Sequence, residues 1–169
     1  KEESYEHNLT IEDDYRKSKE NQKQRFFHPL NEQVNFKINK LFRIITKDKK
    51  RTTKNIYLKG RNFEIRNFYN GIVRFTFDEL CNQNLGSEDY LEIVKECKLI
   101  VIENIPHFNE INSNQQLRFI TLLDIIYDKS IPLAVTANQS IEYLSSSKSL
   151  EKPFKRTISR LYELTSINI

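Results

Sequence analysis

Leu99-Ile100-Val101-Ile102-Glu103-Asn104 and Ile131-Pro132-Leu133-Ala134-Val135-Thr136, with the stretch from Ser113 to Tyr127 between them, decide the fold class. A continuous β-branched run reads as a strand buried on both faces, since a strand with one wet face would alternate. Ser113 and Gln116 have the spacing of a capping box, in which each side chain satisfies the other residue's free backbone N–H. The helix they open is apolar almost all round, which predicts deep burial. Pro132 lacks an N–H to donate and is tolerated only near the start of its strand.

The same texture extends outward. Gly86-Ser87-Glu88-Asp89 predicts a helix start with Ser87 as cap and acids in the first turn; Tyr90, Leu91, Val94 and Cys97 form its inner face. Ile72 to Phe77 alternates as a strand after the turn Tyr69-Asn70-Gly71. Phe154, Ile158, Leu161 and Thr165 place a final amphipathic helix. Strand, helix, strand, helix, strand, helix implies a right-handed parallel α/β layer. Upstream, Ile56-Tyr57-Leu58 and Phe63-Glu64-Ile65, joined by Lys59-Gly60-Arg61, predict a hairpin. Val34, Ile38, Leu41, Phe42 and Ile45 recur on one helical face after Pro29, with Asn31 as N-cap. Residues 1–29 lack apolar periodicity and read as a tail or linker, with a short extended piece at Tyr15. The expected organisation is a tail over 1–29, a basic helix plus β-hairpin over 30–70, and an α/β part over 71–169. No internal repeat is visible.

Composition limits the function classes. The chain has 169 residues, 38% hydrophobic and 30% charged, enough to bury a core without disulfides or metal. No apolar run approaches the roughly 20 residues of a membrane span, and Lys1 to Thr10 do not read as a signal peptide. Cys81 and Cys97 form no C-x-x-C or Cys/His pattern, so reduced thiols and a cytoplasmic location are expected. The sequence contains no Met and starts at Lys1, which is expected of an internal or C-terminal piece of something longer.

Chemistry is sought at the carboxyl ends of strands, where α/β sheets place functional groups. Glu103-Asn104 ends its strand as a weakened Walker B motif would, with an acid beside Mg²⁺ and the attacking water. Asn138 follows the next strand, where P-loop ATPases carry a water-orienting polar residue. The plainer reading of both is a surface acid and a turn Asn. A phosphate-cradling G-x-x-x-x-G-K-[ST] loop is missing: Gly60, Gly71 and Gly86 are the only glycines, and none precedes Lys-Ser or Lys-Thr. Arg156 and Arg160 lie four apart on one helix face and present two guanidinium forks suited to a phosphate or carboxylate. Glu163 offers Arg160 an ordinary i,i+3 partner instead. His7, His28 and His107 have no metal-ligand spacing, and no metal site is expected. A buried thiol is the expected state of Cys81.

From Lys37 to Arg74 twelve Lys/Arg face only Asp48 and Glu64, 12 − 2 = +10. Phe36, Phe42, Tyr57, Phe63 and Phe68 are interleaved with them, a pattern that in some proteins stacks nucleotide bases. Here the aromatics are expected to face inward, so nucleic acid is not the expected partner.

Several blocks resemble the ZapE-like cell-division ATPases and their mitochondrial relatives. The first is Gly71-Ile72-Val73-Arg74-Phe75-Thr76-Phe77-Asp78-Glu79-Leu80-Cys81, continuing through Leu85-Gly86-Ser87-Glu88-Asp89-Tyr90-Leu91. Arg118-Phe119-Ile120-Thr121-Leu122-Leu123-Asp124, with Tyr127, is similar to a second. Phe154-Lys155-Arg156-Thr157-Ile158-Ser159-Arg160-Leu161 is similar to a third, and Asp14-Tyr15-Arg16 to a short upstream stretch. The resemblance implies a partial, parallel P-loop-type sheet and P-loop ATPases that couple ATP hydrolysis to remodelling of partner proteins: the FtsZ division ring in bacteria, inner-membrane proteins in mitochondria. It places Walker A and Walker B upstream of this stretch, so ATP and Mg²⁺ belong to the full-length family and no cofactor to this chain alone. Arg156 and Arg160 carry over as phosphate or subunit-interface contacts. Glu103-Asn104 stands where relatives have two acids, and Lys155 where an acid is frequent. The alternatives are a degenerate stand-alone interaction module without ATPase activity and, last, a basic nucleic-acid binder.

Overall fold

The computed structural model describes residues 24–169; the extended piece at Tyr15 and the Asp14-Tyr15-Arg16 stretch lie outside them. Six strands form one sheet, β1 (Phe26–Phe27), β2 (Thr52–Leu58), β3 (Arg61–Tyr69), β4 (Ile72–Thr76), β5 (Leu99–Ile105) and β6 (Leu133–Ala137), in the order β1-β6-β5-β4-β3-β2. β1, β6, β5 and β4 are mutually parallel, and β3 and β2 extend them as an antiparallel hairpin. This is the expected α/β class: a largely parallel sheet flanked by helices.

The α-helices among the described residues are α1 (Glu32–Ile45), α2 (Phe77–Cys81), α3 (Ser87–Lys95), α4 (Ser113–Asp128) and α5 (Glu151–Leu164). One face of the sheet presents Val73, Phe75, Ile100, Ile102, Leu133 and Val135 to a continuous core containing residues of α2, α3, α4 and α5. The other presents Ile72, Leu99, Val101 and Ala134 to Ile38 and Phe42 of α1. β5 and β6 are therefore sandwiched, which is why their sequences are apolar without alternation. In β2 only Ile56 and Leu58 are buried, so the hairpin keeps one wet face.

Local expectations met different ends. Asn31 caps α1, its side chain accepting from the Val34 N–H at 2.9 Å. The hairpin turns at Lys59–Gly60, with Gly60 at φ +76°, a left-handed conformation that costs glycine nothing. Phe77 does not continue β4. Thr76 and Glu79 form a capping box there and open α2. The box expected at Ser113 does not form: α4 has Asn112 at its N-cap and no side-chain cap bond. Gln116 is instead fully buried, donating to Ser146 Oγ at 2.6 Å and accepting from the Ser147 N–H at 3.0 Å. Ser87 is likewise not a cap, because Asp89 accepts from the Gly86 N–H at 2.8 Å and Gly86 holds the N-cap position. Leu91 is exposed, and Ile93 takes the inward position.

Within the stretch read as a tail, Phe26–Phe27 pairs with Val135–Thr136 as a parallel edge strand. Phe36 and Tyr57 correct the inward reading of the basic segment's aromatics. They are 62% and 87% exposed, whereas Phe42 and Phe63 are buried. No helix among the described residues is long and apolar enough to cross a membrane.

Candidate functional site

The carboxyl ends of the parallel strands bring two sequence-predicted residues to one sheet edge. Glu103 lies opposite Thr76 across β5 and β4, and Asn138 directly follows β6. Glu103 is not free for a cation. Arg74 Nη2 donates to its Oε1 at 2.5 Å and to Asn39 Oδ1 at 2.6 Å, with the guanidinium 5.2 Å over the Phe42 ring. The acid at the end of β5 is thus neutralised by a neighbouring strand and tied to α1.

The β5 end is also irregular. Asn104 adopts φ +66°, its N–H donates to Thr136 Oγ1 at 2.9 Å, and the pairing with β6 shifts between Ile102 and Ile105. Asn is one of the few residues that tolerates this left-handed backbone. The exposed Asn138 uses its N–H to pair with the Ile105 carbonyl at 2.9 Å. Beside it, His107 Nδ1 meets Gln139 Oε1 at 3.1 Å, joining the loops that follow β5 and β6.

This edge does not fit Mg-ATP. A nucleotide cradle needs glycine-rich backbone approaching the phosphates before a helix N-terminus. The connections after β1, β4, β5 and β6 contain no such glycine: β4 passes straight into the five-residue α2, and the others run through His28-Pro29-Leu30, Pro106-His107-Phe108 and Asn138-Gln139-Ser140. No group of three or more His, Cys, Asp or Glu side chains suited to a metal occurs among the described residues.

Arg156 and Arg160 lie elsewhere. Both point at Asp124 of α4, near the end of that helix that feeds the start of β6, so they are not brought together with Glu103 and Asn138. Arg160 pairs closely with Asp124 Oδ1, and Arg156 Nη2 reaches Oδ2 at 3.4 Å. Arg160 also stacks 4.6 Å over the Tyr127 ring. The i,i+3 partner expected for it, Glu163, instead bonds the Tyr127 hydroxyl, which pushes that phenol's pKa up. The two arginines differ in availability, with side-chain exposures of 56% for Arg156 and 22% for Arg160.

Sequence reasoning missed Arg74, Asp124 and Arg25 as partners. Arg74 was only a member of a charge run, and Asp124 only a position in a resembling block. Arg25 is buried, with Nε donating to the Leu133 carbonyl at 2.9 Å, Nη1 to Ile167 at 2.6 Å and Nη2 to Leu164 at 3.1 Å. Each contact spans more than 25 residues, so no local pattern announces it. Cys81 and Cys97 are free and buried, and burial pushes both thiols up to about 12, well away from a reactive thiolate.

A family model described as AFG1-like ATPase matches residues 8–169. The chain belongs to that family. It is 32% identical to lactation elevated protein 1 homolog B of Danio rerio over 87 residues, covering 52% of this chain and 17% of the relative. It is 22% identical to cell division protein ZapE of Escherichia coli K12 over 153 residues, covering 90% of this chain and 41% of the relative. The chain thus spans less than half the length of the curated relatives it matches. No solved structure matches it significantly.

Proposed function

We propose that this chain is the C-terminal portion of a ZapE-like ATPase that couples ATP binding and hydrolysis to remodelling of partner proteins. The observation that carries the reading is the pairing of two coverages. The similarity to ZapE takes in 90% of this chain but only 41% of that protein, and no P-loop motif occurs in these 169 residues. ATP and Mg²⁺ then belong to an N-terminal ATPase half, the first partner of this chain. The second is a protein client, an FtsZ-like division protein by resemblance to ZapE, in the cytoplasm. This portion contributes scaffold and partner surface. Of the two arginines, Arg156 is the one able to leave Asp124 for a phosphate or a neighbouring subunit, because its ion pair is long and half-exposed, whereas Arg160 is held by Asp124 and Tyr127 of α4.

Two measurements test this reading. Isothermal titration of the 169-residue chain with Mg-ATP is expected to give no micromolar binding; such binding would overturn it. The reading frame upstream of Lys1 is expected to encode G-x-x-x-x-G-K-[ST], and its complete product to hydrolyse ATP. An intact, unrelated upstream sequence would favour a stand-alone interaction module instead.

A further inference from the structure

The +10 of residues 37–74 divides into two populations. Lys54, Lys59, Arg61, Arg66 and Arg74, on the hairpin and β4, each have a carboxylate partner: Glu96, Glu88, Asp89, Glu64 and Glu103. Lys37, Lys40, Arg43, Lys47, Lys49, Lys50 and Arg51, on α1 and the loop after it, have no ion-pair partner among the described residues, and all seven are exposed. Against them stands only Asp48 within that stretch. A merely solvated basic composition would not sort itself this way, with the cations toward β4 ion-paired and those on α1 and the loop after it without a carboxylate partner among the described residues.

The outer face of α1 carries more than charge. Val34, Ile38 and Phe42 point into the sheet, which turns Phe36, Lys40 and Arg43 outward, with Ile44 and Lys37 on their flank. Phe36 and Ile44 are 62% and 63% exposed, and Phe36 shares a shallow surface depression with Glu32, Gln33, Lys37 and Lys40. A helix presenting large apolar side chains among unpaired Lys and Arg has the makeup of a segment lying in a membrane interface.

We infer that the outer face of α1, with the Lys47–Arg51 loop, docks the protein on an anionic lipid surface, its cations on the headgroups and Phe36 and Ile44 dipping between them. Charge complementarity identifies the occupant class, and the spacing of the apolar residues selects within it. A helix held in a protein groove needs apolar anchors at every turn of one face. Here Phe36 and Ile44 stand two turns apart with Lys40 and Arg43 between. A headgroup layer has no fixed pockets and accepts that discontinuity. Nucleic acid would require an array of stacking rings, and on α1 only Phe36 is exposed. The inference is independent of the ATPase reading.

Co-sedimentation of the 169-residue chain with vesicles of phosphatidylcholine, with and without phosphatidylglycerol, at physiological ionic strength tests it. Binding is expected only to the anionic vesicles. Lys40→Glu with Arg43→Glu should weaken it by more than about tenfold, since each basic residue near such a surface contributes appreciably. Phe36→Ser should weaken it severalfold. Lys129→Glu with Lys152→Glu, the same change in net charge at exposed positions elsewhere, should leave binding unchanged. All three variants alter exposed side chains, and circular dichroism melts confirm their fold. Absence of binding to phosphatidylglycerol vesicles, or equal loss in the control, overturns the inference. So does tighter binding of single-stranded DNA than of vesicles at the same salt, which would make the face a nucleic-acid surface.

Discussion

Arg74 and Glu103 project from neighbouring parallel strands and meet at 2.5 Å, with side chains only 21% and 17% exposed. The acid that a reading of strand ends would assign to a metal is therefore a structural partner. Arg74→Ala leaves Glu103 half-desolvated and unpaired, and also loses Asn39 and the Phe42 ring. The expected cost is about 1–3 kcal/mol in urea unfolding. Glu103→Gln keeps the shape and one acceptor, and should cost less. In the proposed full-length ATPase it should leave the affinity for Mg-ATP unchanged; a loss of nucleotide affinity would give Glu103 a role at the nucleotide.

The two arginines on α5 are expected to separate under mutation. Arg160→Ala removes a close, partly buried pair and a stacked guanidinium, and should cost about 1–2 kcal/mol. Arg156→Ala removes a long, half-exposed contact and should cost under about 0.5 kcal/mol. A double-mutant cycle with Asp124→Asn should give a larger coupling for Arg160 than for Arg156. If the proposed interface role holds, the ATPase activity of the full protein falls in Arg156→Ala while its melting temperature stays. A matching fall in melting temperature would reduce Arg156 to a structural residue.

The parallel core was legible because burial on both faces writes itself into composition. Leu99–Ile102 and Leu133–Val135 are apolar at every position, and the structure places them in mid-sheet. The capping of α2 was equally present, in Thr76 and Glu79, but the alternation of Ile72–Phe77 hid it. Gln116 fits a capping box by spacing, yet its bonds to Ser146 and Ser147 override that local option. Phe26–Phe27 is too short for any periodicity and exists through pairing with Val135–Thr136. The candidate sites follow the same rule. The positions of Glu103, Asn138, Arg156 and Arg160 were readable, but their partners Arg74 and Asp124 lie 29 to 36 residues away. Those contacts are products of the fold.

Alkaline unfolding should report on the buried thiols. Burial raises Cys81 and Cys97 from 9.0 to about 12. Between those values the unfolded thiols are ionised and the folded ones are not, so the unfolded state binds fewer protons and stability falls as pH rises. The contribution is fully present below pH 9 and is lost progressively toward pH 12, on the order of a few kcal/mol per thiol. Tyr90, also raised by burial, adds loss in the same direction. Urea midpoints measured from pH 7 upward should drop, and less steeply in Cys81→Ala with Cys97→Ala. An Ellman assay at pH 8 should find both thiols silent until denaturant is added; rapid reaction in the native state would show an opening that exposes them.

Arg25 joins the first described strand to the last helix. Its backbone N–H donates to the Thr165 carbonyl at 2.8 Å, and its carbonyl accepts from the Val135 N–H at 2.8 Å. Its guanidinium meanwhile holds the carbonyls of Leu133, Leu164 and Ile167. Two of those carbonyls belong to the end of α5 and the segment after it, where a helix leaves its last C=O groups without intrahelical donors. A buried cation satisfying them also opposes the negative end of the helix dipole. Arg25→Met fills similar space but supplies no donor, so buried carbonyls lose their partners and the expected cost is about 3 kcal/mol or more. Arg25→Lys keeps the charge without the planar fork that reaches three acceptors at once, and should recover only part of that loss. Hydrogen exchange locates the effect. In Arg25→Met the amides of residue 25, which donates to the Thr165 carbonyl, and of Val135, which donates to the carbonyl of residue 25, should lose protection well before those of β4. Uniform loss across the sheet would mean that Arg25 acts through global stability alone and not as a clasp between β1 and α5.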